Sequence, residues 1–314
     1  MRYSPRLGGA ALGMLLFLAG AVATWLAYRF FVMTASGQRL DNTALRGSAI
    51  GRNTLWEWVE PVLGIVSVPF IVAVLGATAV IALIRRRPLL AVQVIVLVGG
   101  ANLTTQLLKY ALWSRPELTE RVGSAANSLP SGHTTVAATA SAALLLVVPR
   151  GARPPVAVLA AGYTAVTGLS TMIGGWHRPS DVIAAITVVL AWAGLTTVVT
   201  AVGRPDGSSG RDASVRPTVL VATVLLAGSV VAGVLALSAG LTTMDALAAE
   251  AWLTGRQELA TAYAGGALGV VAAAGFSYGA MLVAHQVASG APSRTQVSST
   301  DDDPRRRASL TWRR

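Results

Sequence analysis

The sequence contains no cysteine, few charged residues and only three histidines. Without cysteine, neither a disulfide scaffold nor a thiolate metal site can form. Charged residues make up 12% of the 314 residues, against about 25% in ordinary soluble domains. Because 53% of the residues are hydrophobic, the composition argues against a soluble globular protein and indicates a polytopic membrane protein.

The excess of basic residues, 25 against 14 acidic ones, does not indicate a nucleic-acid partner. Nucleic-acid-binding proteins carry their basic residues on a clustered face, whereas the arginines here lie in short groups between apolar runs. Such groups orient a membrane protein, with the basic loops in the cytoplasm. We therefore expect a multi-pass protein of the cell membrane with both termini in the cytoplasm.

Apolar runs of about 20 residues, the length that crosses a bilayer, occur about eight times. They predict an all-α bundle of about eight transmembrane helices near 8–33, 62–84, 89–112, 133–149, 156–173, 181–203, 218–240 and 259–286. The first run is favoured as an uncleaved span over a signal peptide, because its apolar residues continue to Met33.

The predicted spans divide the chain into three parts. A six-span core at 1–203 is followed by two additional helices at 204–290 and a polar tail at 291–314, which we expect to be disordered in the cytoplasm. Within the core, 34–61 is predicted to be an extracytoplasmic loop with an amphipathic part. This loop either covers a substrate site or is simply solvated.

Polar residues collect at three span ends that this topology places on the extracytoplasmic side, and such residues in a membrane protein indicate function. The clusters are Lys109 to Pro116 after the third span, Pro130 to His133 before the fourth, and Ser170 to Asp181 between the fifth and sixth.

The second cluster has the features of an anion site. Ser131 is a good N-cap residue, Gly132 lets a ligand approach the backbone, and the first N–H groups of the helix attract negative charge. Lys109 and Arg115 supply two cations suited to phosphate oxygens. We therefore predict a phosphate site here, with His133 beside it in the first helical turn.

The third cluster has the features of a nucleophile and its orienting group. Pro179 suits the first position of a helix, which places His177 just before the helix and Asp181 in its first turn. The carboxylate can hold one imidazole nitrogen and leave the other free to attack phosphorus. His133 would then protonate the leaving alkoxide. Phosphoryl transfer by positioning and charge requires no metal or cofactor, and we predict none.

Together the clusters resemble the signature of the type 2 phosphatidic acid phosphatase superfamily, the lipid phosphate phosphatases: K-x6-R-P, P-S-G-H and S-R-x5-H-x3-D. The second motif is matched in full at 130–133, and Ser170, His177 and Asp181 match the third in type and spacing. The resemblance runs from Lys109 to Asp181. It implies a six-helix phosphatase core, a lipid phosphate substrate and a phosphohistidine intermediate.

Two positions depart from that signature. Five residues instead of six separate Lys109 from Arg115, so the helix end or the following turn must adjust. Thr171 stands where the superfamily has arginine, and losing such a charge-assisted contact costs about 1.5–3 kcal/mol. Arg178 is a candidate substitute.

The sequence therefore predicts a membrane phosphatase that hydrolyses a polyprenyl or glycerolipid phosphate or pyrophosphate. His177, His133 and Asp181 are the predicted catalytic residues, and the predicted substrate-binding residues are Lys109, Arg115, Ser131 and Gly132. Two alternatives remain open. One is a phosphotransferase that passes the phosphoryl group to an alcohol, and the other is a non-catalytic member that binds or translocates lipid.

Overall fold

The computed structural model describes residues 5–65, 73, 76–78, 80, 88–119, 122, 126–203 and 215–288, which form helices joined by loops. The helices are α1 (Pro5–Ala27), α2 (Ala35–Ile65), α3 (Pro88–Leu107), α4 (Gly132–Val147), α5 (Arg153–Ile173), α6 (Pro179–Val202), α7 (Val215–Ala249) and α8 (Arg256–Ala288). Single π-helical turns follow α1 and α3, at Tyr28–Val32 and Leu108–Leu112. The predicted all-α class is confirmed.

Six helical segments in the described ranges are long and apolar enough to cross a membrane: Leu7–Val32, Leu89–Leu112, Arg150–Ile173, Pro179–Val202, Val215–Ala249 and Arg256–Ala288. Helix α4 is apolar but shorter, at 16 residues. The predicted span at 62–84 lies mostly outside the described residues, as does the predicted tail at 291–314. The chain is a multi-pass membrane protein built as a helical bundle.

Helix α6 lies at the centre of the bundle, and α1 packs along it at very short range. A Cβ atom added to Gly20 of α1 would lie 2.5 Å from the carbonyl oxygen of Thr187, and one added to Gly194 of α6 would lie 2.5 Å from that of Gly13. The side chains of Thr24 and Thr187 share a hydrogen bond of 2.8 Å across the same contact. Small residues of this kind allow membrane helices to pack backbone against backbone.

Helix α2 replaces the loop expected at 34–61. The buried polar residues Gln38, Asp41 and Asn42 fall at positions i, i+3 and i+4, so they share one face of the helix. That face lies against the segments that carry the first and third sequence motifs: Gln38 binds the carbonyl of Pro116, and Asn42 and Asp41 bind Arg178 and Ser180. A helix of low hydropathy is stable here because its polar face finds partners in the protein.

Helix α8 is inserted among the helices of the core, whereas α7 packs on its outer side and is largely exposed on the surface of the protein. The fully buried Tyr278 of α8 donates a hydrogen bond from its hydroxyl to the carbonyl of Ala138 in α4, at 2.9 Å. The same hydroxyl lies 2.9 Å from Oγ1 of Thr164 in α5. Gly266 lets α8 approach Pro179 at the start of α6.

Candidate active site

The starts of α4 and α6 are joined at one end of the bundle. The backbone N–H of Ser131 donates to the carbonyl oxygen of Asp181 at 2.9 Å. Because Ser131 immediately precedes α4 and Asp181 lies in the first turn of α6, this bond brings the second and third sequence motifs together.

Ser131 caps α4 with its side chain. Its hydroxyl oxygen accepts hydrogen bonds from the backbone N–H of Thr134 at 3.3 Å and from the hydroxyl of Thr134 at 3.0 Å, and the residue is fully buried. The N–H groups of Gly132 and His133 occupy the first helical turn and have no intrahelical acceptor. A Cβ atom on Gly132 would meet nothing within 4 Å, so open space lies beside this residue.

His177 and Asp181 form a buried pair. Nδ1 of His177 lies 3.1 Å from Oδ2 of Asp181, and the side chains are 7% and 0% exposed. The same carboxylate oxygen accepts the backbone N–H of Arg178 at 2.9 Å, which closes the first turn of α6. An ionised carboxylate only accepts hydrogen bonds, so this contact favours the proton on Nδ1 and leaves the Nε2 lone pair free.

The second predicted catalytic histidine faces the first. The ring centroids of His133 and His177 are 6.3 Å apart, with an angle of 63° between the ring planes. The Trp176 ring lies 5.4 Å from the His133 ring and is half exposed. A phosphoryl group bonded to one of these imidazoles can lie within hydrogen-bonding distance of the other.

Arg115 presents unsatisfied donors. Its Nη1 and Nη2 atoms are buried and have no hydrogen-bond partner among the residues that the structure describes. Burial, together with the positive charge of Arg178, lowers the pKa of Arg115, and the negative charges of Asp41 and Asp181 oppose this shift. A buried guanidinium without partners is costly, so this group is suited to receive an anion.

Lys109 lies in the π-helical turn Leu108–Leu112, which the hydrogen bond from the N–H of Trp113 to the carbonyl of Leu108 closes at 3.1 Å. The positive charge of Lys109 is close enough to His133 to interact electrostatically with its imidazole. The Nζ atom of Lys109 lies 5.4 Å from the ring centroid of Tyr110. The short spacing between Lys109 and Arg115 thus coincides with a helix end that departs from α-helical geometry.

The side chain of Thr171 is bound within its own helix. It is fully buried, and its hydroxyl donates to the carbonyl of Gly168 within its own helix at 2.7 Å. Its carbonyl accepts the backbone N–H groups of Trp176 at 3.0 Å and His177 at 3.3 Å. The position therefore shapes the turn that presents His177.

Arg178 is bound by protein groups and is only 3% exposed. Its Nε donates to Oδ1 of Asn42 at 2.8 Å, its Nη1 to the hydroxyl of Ser128 at 3.0 Å, and its Nη2 to the carbonyl of Val122. These contacts tie α2 and the loop before α4 to the start of α6. They leave the substitute role considered for Arg178 at the phosphate without geometric support.

Asp41 lies beside the candidate site and was missed by the sequence analysis, because α2 was expected to be a loop. Its Oδ1 accepts the backbone N–H of Ser180 at 3.2 Å, and its Oδ2 accepts the hydroxyl of the same residue at 2.5 Å. Burial, reinforced by the negative charge of Asp181, raises the pKa of Asp41 to about 6, although Arg178 opposes the shift. The helical spacing of Gln38, Asp41 and Asn42 was the signal that could have identified it.

A second contact from α2 reaches the turn before His177. Nε of Arg52 donates to the carbonyl of Ile173 at 2.8 Å, and its Nη2 occupies the position that a side chain on Gly175 would take. Gly175 has a φ of +73°, a conformation that glycine adopts without strain.

Among the described residues, no three His, Cys, Asp or Glu side chains come together as a metal ligand set.

The middle of the chain is similar to a known protein family. Residues 90–204 match the family model of the PAP2 superfamily. The match spans α3 to α6 and all three polar clusters, and it leaves out α2 and α8. Nothing among the curated proteins or the solved structures matches the chain.

Proposed function

Because residues 90–204 match the PAP2 superfamily, we propose that the protein is a membrane phosphatase that hydrolyses a lipid phosphate. The observation that carries the proposal is the pairing of His177 with Asp181 at 3.1 Å, with the His133 ring centroid 6.3 Å from that of His177. This arrangement suits a nucleophile, its orienting carboxylate and a general acid around one phosphoryl group.

In the first step, Nε2 of His177 attacks the phosphorus atom. The new P–N bond forms as the P–O bond to the lipid breaks, and the lipid oxygen takes a proton from the His133 imidazolium. Asp181 keeps the Nδ1 proton in place and stabilises the positive charge that develops on His177. A bound phosphate dianion favours the protonated form of His133.

In the second step, water attacks the phosphohistidine. The neutral His133 accepts a proton from the water, whose oxygen bonds to phosphorus. The P–N bond breaks, its electron pair returns to Nε2 of His177, and inorganic phosphate leaves. His133 ends the cycle protonated, so both histidines regain their initial states.

The phosphate oxygens are bound by cations and backbone donors. The unpaired Nη atoms of Arg115 supply charge-assisted hydrogen bonds, and Lys109 adds a second positive charge. The N–H groups of Gly132 and His133 are available at the start of α4, while the hydroxyl of Ser131 remains the helix cap. The lipid chain stays in the bilayer, and the basic loops orient the site to the extracytoplasmic side.

The test is a screen for phosphate release by the purified protein in detergent, with polyprenyl phosphates, polyprenyl pyrophosphates and glycerolipid phosphates as substrates. We expect release from at least one class, no release by His177→Ala, and unchanged release in the presence of a chelator. Transfer to an added alcohol would identify a phosphotransferase. Equal release by the wild type and His177→Ala, or no release from any lipid phosphate, contradicts the proposal.

A further inference from the structure

Helix α2 lies outside the segment that matches the superfamily, yet it contributes a buried carboxylate beside the candidate catalytic pair. Asp41 is 1% exposed. Both of its oxygens bind Ser180, one at the backbone N–H and one at the hydroxyl. Ser180 is the residue directly before Asp181, so Asp41 acts on the chain next to the carboxylate that holds His177.

The start of α6 requires external acceptors for its backbone donors. Pro179 has no N–H group, and the N–H of Arg178 is taken by the side chain of Asp181. The next N–H, that of Ser180, is taken by Asp41 from another helix. The first turn of α6 is therefore capped from two sides, once by its own Asp181 and once by Asp41.

We propose that Asp41 is a positioning residue for the His177–Asp181 pair, and this inference rests on the proposed function. Asp41 binds both the backbone N–H and the hydroxyl of Ser180, and it thereby sets the location of the next residue, Asp181. Oδ2 of Asp181 has to accept hydrogen bonds from both His177 and the backbone of Arg178. Misplacement of a reacting group by about 1 Å can cost about 10²-fold in rate.

The neighbouring side chain of Asn42 strengthens the same contact. Its Oδ1 accepts Nε of Arg178 at 2.8 Å, so two consecutive residues of α2 hold the two sides of Pro179. The charged groups that act on Asp41 are Asp181 in the first turn of α6, Arg178 just before that helix and Arg115 after α3. The carboxylates of Asp41 and Asp181 thus lie near the guanidinium groups of Arg178 and Arg115, so the two negative charges are matched by two positive charges.

Three substitutions separate positioning from charge. Asp41→Asn retains an acceptor for the Ser180 N–H and loses the charge, whereas Asp41→Glu retains the charge and displaces the carboxylate by one methylene group. Positioning predicts that Asp41→Asn keeps kcat within about fivefold, and that Asp41→Glu and Asp41→Ala lower kcat by about 10- to 100-fold, with KM changed by less than about threefold. Asp245→Ala removes an exposed carboxylate on α7 and is the matched control.

A spectroscopic measurement makes the test independent of turnover. The chain has only three histidines, so selective ¹⁵N-histidine labelling gives few signals, and the loss of one in His177→Ala assigns His177. We expect its Nδ1-bound proton resonance to be retained in Asp41→Asn and shifted or lost in Asp41→Glu and Asp41→Ala. An unchanged resonance in the last two variants, an unchanged kcat in them, or a higher kcat in Asp41→Glu than in Asp41→Asn overturns the proposal. If the wild type releases no phosphate, the proposed function fails and the resonance alone decides the role of Asp41.

Discussion

The N–H of Ser131 donates to the carbonyl of Asp181 at 2.9 Å, and each of these residues also caps its own helix with its side chain. One backbone hydrogen bond therefore fixes the relative position of two helix starts. His133 follows Ser131 by two residues, and His177 precedes Asp181 by four. This bond joins two backbone groups, so no side chain takes part in it directly.

The first prediction concerns the candidate catalytic pair. His177→Ala should abolish phosphate release, because the proposed mechanism forms the covalent intermediate on Nε2 of His177. Asp181→Asn should lower kcat by about 10³-fold or more, because an amide can donate to Nδ1 and favour the wrong tautomer. Turnover is measured on folded, monodisperse protein in detergent. Wild-type activity in His177→Ala would show that the nucleophile is another residue.

The second prediction concerns Arg115. Arg115→Gln should lower kcat/KM by about 10- to 100-fold, because one charge-assisted contact to the phosphate contributes about 1.5–3 kcal/mol. Its thermal unfolding temperature should not fall, since Nη1 and Nη2 of Arg115 have no hydrogen-bond partner among the described residues. Arg29→Gln, at an exposed position after α1, is the control. An unchanged kcat/KM would exclude Arg115 from phosphate binding.

Thr171 gives the third prediction. Its hydroxyl bonds within α5, so Thr171→Val should cost about 1 kcal/mol of stability or less and keep kcat and KM within about threefold of wild type. Denaturant unfolding and phosphate-release kinetics check the two parts. A large rise in KM would mean that the hydroxyl contacts the substrate.

Arg178 should prove structural. Arg178→Gln removes a guanidinium with three protein acceptors, and each buried hydrogen bond made by a charged group contributes about 1.5–3 kcal/mol. The loss in unfolding temperature should exceed that of Arg115→Gln, measured in the same detergent. Equal stability of the two variants would contradict the roles assigned to these arginines.

The pH dependence of stability tests Asp41. Its pKa is about 6 in the folded protein against an ordinary value of 3.8, so the folded state binds the proton more tightly than the unfolded state. The contribution of this group therefore falls as pH rises from about 4 to about 6, by up to about 3 kcal/mol. The difference in unfolding temperature between Asp41→Asn and wild type should change across that range. A constant difference would contradict the raised pKa.

The sequence contained enough to predict the helical class and the residues of the three clusters. Long apolar runs are local, and so are the i, i+4 relation of His177 to Asp181 and the N-cap signature at Ser131. Their assignment as catalytic and binding residues stays a prediction for the experiments above. The direction of the Arg178 side chain depends on Asn42, 136 positions away along the chain, and no local pattern contains that information.

Helix α2 was missed for a related reason. Its low hydropathy is typical of a loop, and the polar residues that indicated a solvated segment are those that bind the rest of the protein. The expectation that residues near 34–61 cover the site was one of two alternatives. The contacts of Asp41 and Asn42 with the start of α6 favour it.

The hydroxyl of Tyr278 sets a lower limit on how far the protein can be shortened. A shortened protein that consists only of residues 90–204 would lack Tyr278. The Ala138 carbonyl and the Thr164 hydroxyl would then lose the hydroxyl that they share, in an apolar environment where water cannot replace it. Any engineered short form must therefore retain α8. Because α8 also packs against Pro179 at the start of α6, substitutions in α8 should alter catalysis without contacting the substrate.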